Sequence, residues 1–226
     1  HSMRRIILFD VIETLLDLKA LYSLFERTFG DATARTEWFQ QALQSALVST
    51  VTGAYSDFTS VGKAALQMTA QRRGVALSDD DTSLIIGGVR DLPAHPDVRE
   101  ALQQLQDAGL RLAALTNSTQ EVAEAQLGSA GLRPFFEQVF SADSVLRLKP
   151  APEPYRLAAE GMGVSVGEIR MVAAHAWDIA GATRVGCAAA FVAREGKVLD
   201  PLVPRPDIIG ADLGEVAERV LQVERS

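Results

Sequence analysis

Short apolar runs alternate along this chain with stretches in which apolar residues recur every three or four positions. The runs at 5–9, 111–115, 138–140, 169–173, 189–192 and 207–209 predict strands. Between them Val98, Leu102, Leu105 and Ala108 follow an i, i+4, i+7 rhythm that stops at Gly109, which predicts a helix. Further helices are predicted from Thr119 to Gly131, and from Pro152 to the neighbourhood of Gly161 or Gly163. Strand and helix in regular alternation point to an α/β fold with a mostly parallel sheet. Residues 16–92 break the alternation. Leu18, Leu21, Phe25 and Phe29 form one helical stripe, helical patterns cover 35–51, 59–73 and 78–89, and no strand pattern intervenes. This block reads as an all-helical cap (16–92) inserted into a core made of 3–15 and 93–226, with Pro93 and Pro96 marking the return.

Ligands of open parallel sheets bind beyond the carboxyl ends of the strands, so the polar residues there carry the functional question. The first strand ends in Asp10, the second in Thr116-Asn117-Ser118, and the fourth in the string AAHAWD at 173–178. Between the third and fourth strands lies LKPAPEPY at 148–155, with Lys149 set ahead of three prolines. Taken singly, Asp, Thr or Asn after a strand is a common cap of the next helix, and Lys149 alone is compatible with a solvated lysine. Taken together, four segments bring two carboxylates, a hydroxyl with an amide, and an ammonium to one edge.

The order D…[ST]N…KP…D resembles that of the haloacid dehalogenase superfamily of hydrolases, over essentially the whole chain. KPAPEPY, AWD and the helical cap are similar to the type II 2-haloacid dehalogenases. Thr14, Tyr155, Phe58 and Trp177 also fall on matching positions. The resemblance implies a Rossmann-like core and Asp10 as covalent nucleophile. Lys149 would keep Asp10 ionised, and the Thr116 hydroxyl would bind a substrate carboxylate. Asp178 and its neighbours would position the hydrolytic water. The implied reaction is removal of halide from a small 2-haloalkanoic acid, giving a 2-hydroxy acid, without cofactor or metal. A homodimer is implied as well; composition is silent on that.

The chain also departs from the pattern. Ile12 and Glu13 stand where the dehalogenases carry tyrosine and glycine, and Phe39 follows Trp38 where an arginine that assists the leaving halide is expected. Halide would then rest on Asn117, Gln40 or Gln41. Ala173 and His175 replace an expected serine and asparagine. His175 is either a wall residue or a general base for the hydrolytic water, in the latter case paired with Asp178. Glu13 is either a helix-entry residue bonded to backbone or a basic side chain, or a second catalytic acid. A histidine metal site would need partners that His1 and His95 are not placed to supply, and no nucleophile-elbow string supports a serine triad. A phosphatase of the same superfamily is the main competing reading. The aspartate two positions after the nucleophile, which such enzymes use as general acid, is here Ile12. A hydrolase of a different small acid and a binding member without catalysis also fit the pattern.

Composition narrows the partners. A net charge of −7 disfavours nucleic acid and anionic membrane surfaces, and no apolar run is long enough to span a bilayer. Hydrophobic residues make up 47% and charged residues 23%, as in ordinary globular domains. Cys187 is the one cysteine, which excludes an internal disulfide and reads as a buried thiol. His1-Ser2 reads as an expression-tag remnant, and with no signal-like stretch before Arg4 the expected location is cytoplasmic.

Overall fold

The computed structural model describes residues 5–224; the tag-like His1-Ser2 and the outer ends of the predicted 3–15 and 93–226 segments lie outside them. Strands β1 (Ile6–Phe9), β2 (Leu112–Thr116), β3 (Gln138–Ser141), β4 (Ile169–Ala173), β5 (Ala188–Val192) and β6 (Ile208–Gly210) form one sheet, ordered β3-β2-β1-β4-β5-β6. Every pairing is parallel, with Ile7 opposite both Leu112 and Arg170. The expected α/β fold is thus present, and its sheet is parallel throughout. Each predicted strand is found, its ends displaced by one residue at most.

Sheet burial follows from the period of two along each strand. Ile7 and Phe9 join Leu112, Ala114, Val172 and Ala190 on one face, while Ile6 and Leu8 join Ala113, Leu115, Ile169 and Met171 on the other. Both faces are covered, which is why β1 and, up to Thr116, β2 are apolar without alternation, and why Arg170 in β4 is buried.

Helices α1 (Tyr22–Phe29), α2 (Ala34–Thr52), α3 (Phe58–Arg73) and α4 (Asp79–Val89) fill the chain between β1 and β2. Then come α5 (Val98–Asp107), α6 (Gln120–Ser129), α7 (Pro152–Met162), α8 (Ala176–Val185) and α9 (Leu213–Val223). The first face of the sheet packs against Val98, Leu102 and Leu105 of α5 and Val216 and Val220 of α9. The second packs against Tyr155, Ala158 and Met162 of α7 and Ala182 of α8. Each fully buried side chain of this size contributes about 1.5–3 kcal/mol.

The inserted helices do not form a separate oil drop. Phe25, Trp38, Leu66 and Ile85 belong to the same apolar cluster as Ile7 and Phe9, linked through Ile12, Leu15, Leu16 and Leu18. Outgoing and returning chains are tied together: Asp17 N–H donates to Pro93 O at 2.8 Å, and His95 N–H to Leu15 O at 2.9 Å. Pro93 and His95 thus tie the returning chain to the segment that follows β1. Among the described residues no helix is long and apolar enough to cross a membrane.

Candidate active site

β1 lies between β2 and β4, so the strand order reverses at β1, and the crevice beyond the strand ends opens there. Asp10 is the residue after β1. Its backbone N–H continues the ladder to Val172 O at 3.0 Å, which fixes where its carboxylate emerges. Three donors grip that carboxylate. Lys149 Nζ donates to Oδ1 at 3.1 Å, and Thr14 Oγ1 donates to Oδ2 at 2.7 Å. His175 Nδ1 stands 3.0 Å from the same Oδ2. The Thr14 hydroxyl also accepts from Ala174 N–H at 2.9 Å, locking the loop after β1 to the end of β4.

Lys149 spends all three ammonium protons inside the protein: on Asp10, on Leu115 O at 2.9 Å and on Asp178 Oδ2 at 2.7 Å. Its backbone is held by Asn117, whose Oδ1 accepts from Lys149 N–H at 2.7 Å and whose Nδ2 donates to Lys149 O at 3.4 Å. Asp178 accepts a second bond from the Tyr155 hydroxyl at 2.6 Å. The close approach of α8 to this segment requires Gly181, where a Cβ would fall 2.6 Å from both Pro150 Cβ and Tyr155 Oη.

Burial alone would raise the Asp10 carboxyl, but Lys149, His175 and Thr14 reverse it and hold Asp10 well below the usual carboxylate range. Burial opposes the Lys149 charge, and the Asp10 and Asp178 carboxylates more than restore it. Asp178 moves up, through its own burial and the Asp10 charge, despite Lys149. Of the two carboxylates on Lys149, Asp10 is the readily ionised one.

On the other side of Asp10 a second chain of charges begins. His175 Nε2 lies 2.9 Å from Glu13 Oε1, which also accepts from Lys197 Nζ at 2.9 Å. Burial disfavours the imidazolium, yet the bonds to Asp10 and Glu13 push His175 up to about 9. Burial pushes Glu13 up; His175 and Lys197 outweigh it and the net shift is downward. Counted as ionised, Asp10, Asp178 and Glu13 balance Lys149, Lys197 and His175.

A small cavity of about 20 Å³ touches Asp10, Ile12, Phe39, Leu43, Phe58, Thr116, Asn117, Ser118, His175 and Trp177. Helices α2 and α3 supply Phe39, Leu43 and Phe58, so the insert roofs the sheet edge. The sequence-predicted residues Asp10, Ile12, Thr116, Asn117, Phe39, Phe58, His175 and Trp177 converge here, with Thr14 and Lys149 bonded to Asp10. Others do not. Tyr155 is fully buried behind Asp178, away from the cavity wall. Asp178 has both oxygens engaged and no exposure, so it stands behind Lys149 and not beside a water. Gln40 faces a larger outer cleft of about 460 Å³, and Gln41 is taken up by Ser45 and Arg72.

Asn117, expected to meet the halide, has its amide on the Lys149 backbone, with one Nδ2 proton going to Lys149 O. On the cavity wall, Ser118 Oγ and Trp177 Nε1 are buried donors with no hydrogen-bond partner among the described residues. Lys197 is the basic side chain that meets Glu13, whereas the sequence carries no signal for the pairing of His175 with Glu13. The expected partner, Asp178, belongs to the other side of Asp10. Arg35 also escaped notice; it lies one helical turn before Phe39, stacks over the Tyr22 ring at 4.8 Å and lines the outer cleft. Among the described residues no group of three or more His, Cys, Asp or Glu side chains is arranged to hold a metal ion.

A profile described as haloacid dehalogenase-like hydrolase matches residues 5–186. (S)-2-haloacid dehalogenase H-109 of Pseudomonas putida is 28% identical over 218 residues, covering 95% of this chain and 97% of its own. The (S)-2-haloacid dehalogenase of Xanthobacter autotrophicus is 30% identical over 194 residues, 85% of this chain and 76% of its own. The structure of the L-2-haloacid dehalogenase from Xanthobacter autotrophicus with chloropropionic acid covalently bound superposes with a TM-score of 0.91 at 25% identity, covering 96% of this chain and 98% of that one.

Proposed function

This chain belongs to the haloacid dehalogenase-like hydrolase family, and on that footing we propose that it hydrolyses the carbon–halogen bond of a small 2-haloalkanoate through an ester on Asp10. The observation that carries the reading is the state of Asp10: a buried carboxylate kept ionised by Lys149, facing a small cavity walled by Ile12, Phe39, Phe58 and Trp177. A desolvated anion against apolar walls is suited to displacement at carbon, since little water competes for its lone pairs. Asp10 attacks the halogen-bearing carbon, the carbon–halogen bond breaks, and the substrate is held as an ester. Ser118 Oγ and Trp177 Nε1 serve as donors to the substrate carboxylate and the departing halide, because they stand on the cavity wall with no hydrogen-bond partner among the described residues. The helical segment 16–92 acts as the cap that excludes solvent.

Two features weigh against phosphoryl transfer. Ile12 cannot protonate a leaving alcohol, and both Asp178 oxygens are already committed to Lys149 and Tyr155. The relatives named above support the 2-halo class.

The test is direct. The protein is incubated with fluoro-, chloro- and bromoacetate and with 2-chloropropionate of each hand, and halide is measured, beside p-nitrophenyl phosphate with Mg²⁺. Halide release is expected, with Asp10→Asn inactive. Phosphate release without halide would sink the reading, and an active Asp10→Asn would displace Asp10 from its role.

A further inference from the structure

Hydrolysis of an Asp10 ester needs a base beside the carbonyl carbon, and the cavity offers few. Of its ten lining residues only Asp10 and His175 are titratable, and Asp10 is the one that carries the ester. Lys149 is saturated as a donor to three acceptors, and Asp178 is sealed behind it. His175 has the opposite arrangement: one ring nitrogen meets Asp10 at 3.0 Å and the other meets Glu13 at 2.9 Å.

We propose, resting on the dehalogenase reading, that His175 is the catalytic base of the ester-opening step and that Glu13 is its positioning residue. Glu13 fixes the ring so that Nδ1 faces the Asp10 carboxyl, and leaves Nε2 bonded to an anion that stabilises the proton His175 receives. Charge balance supplies the timing. While Asp10 is an anion, two carboxylates flank the ring and keep it protonated. Once Asp10 is an ester one of those charges is gone, and the ring can release its proton to become a base. The other charged and titratable groups around the pair are Lys149 and Asp178 beyond Asp10, Lys197 on Glu13, and His95, whose Nε2 meets Glu13 O at 2.9 Å.

The step balances as follows. Water adds its oxygen to Asp10 Cγ and passes one proton to His175 Nδ1. The bond from Cγ to the ester oxygen then breaks, and the 2-hydroxy acid leaves with the former carboxylate oxygen and that proton. Asp10 re-forms as a carboxylic acid and passes the second proton of the water to His175, restoring the imidazolium, so that with the proton the ring shed after ester formation each turnover releases one halide and one proton. Whichever oxygen bears the ester, the other already has a donor for the tetrahedral oxyanion, Lys149 at Oδ1 or Thr14 at Oδ2. The released proton has an exit: Glu13 also lines the outer cleft of about 460 Å³, and its side chain is 12% exposed there against 4% for His175.

The test follows halide by rapid quench with 2-chloropropionate and watches the intact protein mass, using His175→Gln, His175→Ala and Glu13→Gln after circular dichroism confirms folding. The unaltered protein turns over many times. The His175 variants are expected to release one halide per site and stall with the ester on Asp10, turnover falling roughly 10²–10⁴-fold. Glu13→Gln is expected to turn over slowly and to move the acid limb of the pH profile to lower pH, since one anion beside the ring is removed. A purely structural Glu13 would lower activity without moving that limb, and overturns its part. Turnover within about threefold of the unaltered protein in the His175 variants, or no trapped ester in them, overturns the relay alone. No halide from the unaltered protein overturns the dehalogenase reading and the relay with it.

Discussion

Glu13 Oε1 stands 2.9 Å from His175 Nε2, and Glu13 reaches that position from a left-handed backbone with φ of 70°. Left-handed geometry costs a residue with a Cβ about 1–2 kcal/mol, and it persists where surrounding contacts over-determine it. Here the contacts are His175 and Lys197 on the carboxylate and His95 on the carbonyl oxygen.

The strain is measurable by comparing two truncations. Glu13→Gly and Glu13→Ala both lose the carboxylate, but only the alanine keeps the left-handed penalty. At most positions alanine is the more stable of the pair; here the order reverses, with Glu13→Gly the more stable by about 1 kcal/mol in urea unfolding. Equal midpoints, or a more stable alanine, would remove the claim of strain.

That turn explains what the sequence could and could not disclose. Asp10, Lys149, Thr116 and Asn117 were readable because each stands at a strand end or in a proline-fixed loop, and parallel topology carries strand ends to a common edge. β1, β2 and β5 were readable for the related reason that burial on both faces leaves apolar runs. The partner of His175 was not. His175 is the residue ahead of α8, with extended backbone, and its ring turns to the loop after β1, whereas Asp178 in the first turn of α8 faces Lys149 and Tyr155. Three residues of separation thus place the two on opposite sides of Asp10. Nothing in a glutamate signals a positive φ, so Glu13 read as a helix-entry residue. Tyr155 likewise turns inward, its hydroxyl going to Asp178 and not to the cavity.

On the dehalogenase reading, Phe39 bounds the space open to the acid beside Asp10. It is 4% exposed, packs edge-on against Phe58 at 6.5 Å, and lines the inner cavity, the outer cleft and an apolar pocket of about 70 Å³. Phe39→Ala is expected to cost about 3–5 kcal/mol of stability by thermal or urea melting. The opened space accepts longer chains, so kcat/KM for a 2-halobutyrate relative to a haloacetate rises. Each added methylene that finds apolar surface is worth about 0.8 kcal/mol, roughly fourfold. An unchanged ratio in a folded variant would show that Phe39 does not limit the chain length.

Stability should fall on the alkaline side, and His175 is the reason. Its folded value is pushed up to about 9 from an ordinary 6.5, burial opposing and the Asp10 and Glu13 bonds prevailing. A raised value means the folded state holds the proton more tightly than the unfolded one. The resulting stability is complete below 6.5 and is lost as pH rises through about 9. Its size is on the order of 2–3 kcal/mol. His95 acts with the opposite sign, since burial and Arg194 lower it and its stabilising share is lost toward acid. Asp10, held low, likewise gives up its share only as pH falls beneath the ordinary carboxylate range. The interval from 6.5 to 9 therefore belongs to His175. Urea unfolding at several pH values across it should show a steady decline in the unaltered protein and a flat response in His175→Gln. An equal decline in both would mean that the proton bound on folding is held elsewhere, and the charge-balanced pairing of His175 with Asp10 and Glu13 would lose its support.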